Sequence, residues 1–227
     1  TENVAGSRVA DGGALIFTDF RLHPDGFGRI LVQIRDLTPR RLGRLVQRIL
    51  EIETYRLMAL LAFPIARSTS AALTGMETAL QRLTERMTHR SDLEDEQRLL
   101  SELSELASRL EDVTASNSFR LSAARAYHAL IDHRIDSLRE QRLPDLQTVS
   151  EFMERRFSPA MRTCASVSER QDTLAIRLSR ATELLRTRVD VALERQNRDL
   201  LASMNRRTDL QLRLQQTVEG LSVVVLT

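Results

Sequence analysis

Lysine and tryptophan are absent from the 227 residues, and cysteine occurs once. A single Cys, Cys164, allows no internal disulfide, which excludes a disulfide scaffold. Glycine (8), proline (5) and aromatics (4%) are all scarce. That leaves too little turn material for the many short strands of a sandwich or barrel. No run of about 18 apolar residues is evident, so no complete membrane-spanning helix is expected within the chain. No phosphate loop, nucleophile elbow, zinc spacing or calcium loop occurs, and the reading is of a protein that is not an enzyme and needs no cofactor. All 33 basic residues are Arg, set against 31 acids for a net charge of +2. The sequence pI near 9.3 therefore reflects the high pKa of Arg rather than a basic excess. Interleaved acids argue against a nucleic-acid partner.

What remains is 42% apolar and 28% charged, the balance of a folded chain rich in helix formers. The fold class expected is mainly α with a small α/β element. It comprises an N-terminal β-hairpin, a helical bundle and one very long C-terminal stalk helix. Three segments follow: 1–37 as part of the α/β element, 38–157 as the bundle, and 158–227 as the stalk leading towards a membrane segment.

Strand character is confined to residues 1–35. Ala14–Phe20 and Phe27–Ile34 carry β-branched and aromatic residues, with His23-Pro24-Asp25-Gly26 between them as a turn. Two strands are marginal alone, so a sheet partner is expected from a missing N-terminal part or another subunit. Thr38-Pro39 reads as a helix start, and Leu42, Leu45, Val46, Ile49 and Ile52 follow at helical spacing. Leu57–Phe63 is apolar all round and predicts full burial, and Pro64 should end or kink the helix. Ser91-Asp92-Leu93-Glu94 fits a capping box. Leu99, Leu103, Leu106, Leu110 and Val113 then form a heptad seam, continued through Phe119, Tyr127 and Ile131 to about Arg142.

Pro144 breaks that helix, a short one covers Val149–Phe157, and Ser158-Pro159 starts the last. From there no breaker occurs until Gly220. The stalk and oligomer seam is read at Leu174, Leu178, Leu185, Val189, Leu200, Met204 and Leu214. Together with Ala181, Ala192, Gln196, Arg207, Gln211 and Val218 these residues form one series from Leu174 to Val218 with about 3.7 residues per step, which predicts a nearly straight or slightly right-handed assembly.

Candidate chemistry is thin. The four His (23, 89, 128 and 133) form no metal-binding pair. Cys164 lies near a helix start, where a thiol can be acidified, but it has no evident catalytic partner and reads as a small buried residue. Residues 91–112 hold eight acids, among them Asp92, Glu94, Asp95, Glu96 and Glu102. A divalent-cation site is one reading, since hard cations take clustered carboxylates. Acids favoured at a helix N-terminus are the other. The run Leu221-Ser222-Val223-Val224-Val225-Leu226 has two readings, a tail that packs locally and the first turn of a membrane-spanning helix continuing beyond Thr227, and the second is favoured.

Two blocks of residues resemble a known family. One is Thr18-Asp19-Phe20-Arg21-Leu22 with Asp25-Gly26-Phe27 and Arg29-Ile30-Leu31-Val32, running on into Leu45–Arg56. The other is Leu184-Leu185-Arg186-Thr187-Arg188-Val189, followed by Leu200–Arg207 and Val218-Glu219-Gly220-Leu221. They are similar to the DUF3422 family of uncharacterised bacterial membrane-anchored proteins. The resemblance implies a further N-terminal segment and C-terminal membrane helices, and assigns no activity. A more distant likeness, of layout only, is to CorA-type divalent-cation channels. The expectation is the cytoplasmic part of a membrane-anchored homo-oligomer, acting as a structural or assembly module. CorA-like cation transport is the alternative.

Overall fold

The computed structural model describes residues 4–89 and 92–224, with side chains as far as 211. It is mainly helical with one small antiparallel sheet. Strands β1 (Ala5–Val9), β2 (Ala14–Thr18) and β3 (Ile30–Ile34) precede helices α1 (Pro39–Leu60), α2 (Ala62–Met87) and α3 (Leu93–Leu138). A two-residue strand β4 (Gln141–Arg142), helix α4 (Val149–Arg156) and the long helix α5 (Ser158–Val224) complete the chain.

The sheet order is β3-β2-β1-β4. β2 and β3 pair as expected, with Ala14 opposite Ile34 and Thr18 opposite Ile30. Their connection is not a tight hairpin at His23–Gly26 but a loop over 19–29. That turn survives inside the loop, where the Gly26 amide donates to the His23 carbonyl at 2.9 Å. The partner expected from a missing segment or another subunit comes from the chain itself. β1 pairs with β2, and β4 pairs with the other edge of β1. β1 escapes a search for β-branched runs because Ala5-Gly6-Ser7-Arg8-Val9 has only one such residue. Gly6 has a physical role: a Cβ there would lie 2.7 Å from Leu146 and 2.9 Å from Phe17.

The chain folds into two units, each assembled from distant segments. One takes the residues up to Glu77 together with Arg109–Leu174, the other Thr78–Ser108 with the residues from Ala175 onwards.

In the first unit, Thr38 caps α1 by accepting from the Arg41 amide, with Pro39 in the first turn. Leu45, Ile49 and Ile52 turn inward at helical spacing and are buried. Arg48 donates to the Ser137 carbonyl at 3.1 Å, Arg134 pairs with Glu51, and the Tyr55 and Tyr127 rings stack 5.6 Å apart. These contacts join α1 to α3. The Thr69–Asn117 hydrogen bond joins α2 to α3, and Arg170 joins α5 to α2. Full burial of Leu57–Phe63 does not occur. Ala59 and Ala62 are buried, but Leu57 is 48% exposed and Leu61 55%. Among the described residues only one side of this helix is covered, so its outward apolar residues stay exposed. The expected break falls at Leu61, and Pro64 sits in the first turn of α2, where a missing N–H forfeits little.

In the second unit Leu80, Leu83 and Met87 of α2, Leu99, Leu103 and Leu106 of α3, and Leu178, Leu185 and Val189 of α5 are buried. Arg188 donates to the Met87 carbonyl at 2.7 Å, and Arg86 pairs with Glu102 at 2.9 Å. Ser91 of the expected capping box lies outside the described residues. The cap observed is Asp92, whose Oδ1 accepts from the Asp95 amide at 2.8 Å.

The α3 seam follows Leu99, Leu103, Leu106 and Leu110 as expected, then departs from the reading. Phe119 is 82% exposed, and buried Asn117 and Leu121 take its place. A thread drawn through the apolar residue nearest in sequence misses a seam that passes through an amide. α4 carries a complete capping box between Thr148 and Glu151, and α5 begins one residue after Phe157, as the Ser158-Pro159 pair predicts.

Candidate assembly site

Along α5 the expected seam divides. Leu174, Leu178, Leu185 and Val189 are buried within the single chain and belong to its own core. Leu200 and Met204 are 53% and 62% exposed. Leu214 lies beyond the residues whose side chains are described. From 193 to 211 every residue is exposed. Leu201 and Leu210 therefore join Leu200 and Met204 as uncovered apolar side chains on a continuous helix. Where this stretch begins, the start of α3 and α5 enclose an open groove of about 840 Å³. Leu93, Leu184, Val191 and Leu200 give it an apolar floor, and Glu96, Arg188, Arg195 and Asp199 bring both signs of charge to it. The groove offers shape and apolar surface without a convergent set of reactive groups.

Several of the acids of 91–112 have structural uses. Asp92 caps α3, Glu94 pairs with Arg98 at 2.6 Å and Glu102 with Arg86. Among the described residues, no three His, Cys, Asp or Glu side chains are placed to hold a metal ion. The His residues are dispersed. His23 lies 3.2 Å from Asp19, His89 beside Thr88, and His128 edge-on to the Phe157 ring. Cys164 is buried, and burial pushes its thiol pKa up rather than down. A smaller cavity of about 210 Å³ lies beside Phe20, Arg56, Phe152 and Phe157. Arg56 there is engaged by Glu53 at 2.7 Å and by the Phe20 carbonyl at 3.1 Å, and it lies over the Phe20 ring.

One helical stretch among the described residues, within Pro39–Met87, is long and apolar enough to cross a membrane. The sequence analysis expects none. No unbroken apolar run is visible because Pro64, Arg67, Ser68, Thr69 and Ser70 interrupt the apolar residues that begin at Leu57. Only about a quarter of that window, 28%, is buried. By length and composition alone this is weak evidence for a span, since core helices pass the same test.

No curated protein and no solved structure matches the chain, so the layout likeness to CorA-type channels gains no support. A family profile, described as a protein of unknown function (DUF3422), matches residues 1–227. The match spans every element described above, the sheet and α5 included, and the chain belongs to the DUF3422 family.

Proposed function

We propose that this chain is a structural and assembly module of a membrane-anchored homo-oligomer, associating through the second half of α5. The observation that carries the reading is the uncovered run 193–211 with its exposed Leu and Met side chains. A solitary helix of this kind is marginal in water, and its leucines gain about 25 cal/mol per Å² when covered. The α5 of another copy offers the same apolar spacing, and the groove beside Leu93 and Leu200 gives such a helix a seat. Membrane attachment rests on the apolar residues that follow Gly220 in sequence. A cytoplasmic placement rests on the arginines of α5, such as Arg206 and Arg207, through the preference of basic residues for that side.

Light scattering on the full chain, with and without millimolar Mg²⁺, tests the proposal. The expected result is an oligomer whose mass is indifferent to the metal and falls in the Leu200→Glu, Met204→Glu double variant. A monomer at high concentration, or a mass unchanged by the double variant, overturns it. Assembly seen only with Mg²⁺ also overturns it, in favour of a cation-dependent role.

A further inference from the structure

The outward face of α1 and the first half of α2 is free of charge from Gly43 to Gly75. Steps of four and three residues connect these two glycines along one helical face, through Leu50, Leu57 and Leu61. Every position in that series is exposed and none is ionisable, although 28% of the chain is charged. Leu61 keeps right-handed helical backbone angles (φ −62°, ψ −22°), so the phase of the face carries across the break. The three leucines occupy the middle. The ends are small, with Gly43 at one and Ala71 and Gly75 at the other. A Cβ added at Gly43 or Gly75 meets nothing within 4 Å among the described residues, which leave the space beside both glycines open.

We propose that this face is a contact surface for a second copy of the chain, packed antiparallel about a two-fold axis near its middle. In that register Gly43 lies opposite Gly75 of the other copy, and Leu57 opposite its Leu61. The large side chains then meet at the axis and the small ones at both ends, so one surface complements itself, as an isologous contact requires. The alternation of four and three is the seam of paired helices. Its extent fits as well. A face about 48 Å long and about 12 Å wide approaches, with side-chain relief, the ~800 Å² per partner of a standard interface.

A bilayer is a poorer occupant. The opposite face of the same helices is tied to protein by buried Leu45, Ile49 and Ile52 and by the Thr69–Asn117 hydrogen bond. The margins carry Glu51 and Glu53 as well as Arg44 and Arg67, whereas a helix lying on anionic lipid favours a basic rim. This inference concerns the unit that excludes the second half of α5 and does not rest on the role given to that helix.

The test is cysteine cross-linking in the full chain. Under mild oxidation, the Gly43→Cys, Gly75→Cys double variant should form a disulfide-linked dimer. It should give on the order of tenfold more dimer than either single variant, because a disulfide needs Cα atoms roughly 5.5 Å apart. Adding Leu57→Glu and Leu61→Glu, both at exposed positions, should abolish the dimer while leaving the helical circular dichroism unchanged. Adding Leu200→Glu and Met204→Glu should leave the dimer in place, which separates this surface from the α5 seam. Absence of the linked dimer overturns the proposal. So does equal linking by a single variant, or linking that survives the glutamates at 57 and 61. Sedimentation of the unlinked chain with phosphatidylcholine–phosphatidylglycerol vesicles that is lost on adding Leu57→Glu and Leu61→Glu would assign the face to lipid instead, and would overturn it too.

Discussion

Arg170 of α5 grips Glu77 of α2 through two hydrogen bonds, Nε to Oε1 at 3.0 Å and Nη2 to Oε2 at 2.7 Å. The same guanidinium donates to the Ser70 and Thr74 hydroxyls, one helical turn apart on α2. The Glu77 carboxylate beside it holds the guanidinium pKa above its ordinary value. A planar fork can meet a carboxylate edge and two hydroxyls at once, which an ammonium cannot. Arg170→Lys is therefore not conservative. Both partners are about a third exposed, so solvent discounts the pair, and a loss of about 1 kcal/mol is expected. Urea unfolding monitored by circular dichroism checks it, and an unchanged midpoint would show that the fork contributes nothing.

Asn117 donates to the Thr69 hydroxyl at 2.7 Å, and both residues are buried. A polar pair on an otherwise apolar seam fixes which residues of two helices face each other, because a shift would leave an amide buried without a partner. Asn117→Ala should lower stability by about 1–2 kcal/mol, the cost of a broken buried hydrogen bond plus a small cavity. Replacing both partners with apolar residues, Asn117→Leu with Thr69→Val, should recover part of the loss. A double variant as unstable as the sum of the two single ones would count against the pair acting as a unit.

That pair also marks where sequence reading reaches its limit. The long helices, the cap at Thr38, the start of α5 near Ser158-Pro159 and the early α3 seam are legible, since each depends on local propensity and a 3.6-residue period. Asn117 is not legible as a seam residue because polarity alone assigns an amide to the surface, and only the position of Thr69, 48 residues away, makes it a core residue. β1 is not legible because its pairing comes from β2 and β4 rather than from its own composition. Leu57 and Leu61 look like core residues in sequence. An apolar residue reports that burial is favourable, not whether this chain or another molecule provides it. For the same reason one α5 periodicity covered both Leu185, buried in this chain, and Leu200, which is not.

Gln171 is buried, and its Nε2 has no hydrogen-bond partner among the described residues. Such a donor carries its desolvation cost without return. Gln171→Leu removes it at similar volume and should raise stability by about 1 kcal/mol. A thermal melt of the variant beside the parent decides the sign, and a destabilised variant would mean that the amide makes a contact worth keeping.

Burial raises the Cys164 thiol pKa, so the reactive thiolate is rare in the folded chain near neutral pH. Alkylation by iodoacetamide at pH 8 should be slow in the native protein and fast in urea, with the native rate following the rate of opening. Prompt labelling of the native chain, counted by mass spectrometry, would contradict the burial.

Glu140 supplies a pH dependence of unusual sign. Burial raises its pKa above the usual glutamate range, although its carboxylate accepts from the Val149 amide at 3.2 Å and the Ser150 amide at 3.0 Å. These bonds at the start of α4 favour the anion, and desolvation outweighs them. A folded-state pKa above the unfolded one means that the folded chain binds the proton more tightly. The associated stability is fully present below the unfolded pKa and is lost as pH rises through the folded value. Glu51 works in the opposite direction. Its pKa is lowered by the Gln47 and Arg134 hydrogen bonds, so its contribution is lost as pH falls. Because the two slopes oppose each other, the parent's pH profile alone does not isolate Glu140. The difference between the parent and Glu140→Gln does, since the amide keeps an acceptor near α4 and does not titrate. Measured by urea unfolding at a series of pH values, Glu140→Gln should gain on the parent as pH climbs from the ordinary glutamate pKa through the raised one, then hold that gain. A difference that is flat over that interval and instead shrinks at lower pH, as pH climbs towards the ordinary glutamate pKa, would mean that the α4 amides, rather than burial, dominate the Glu140 carboxyl.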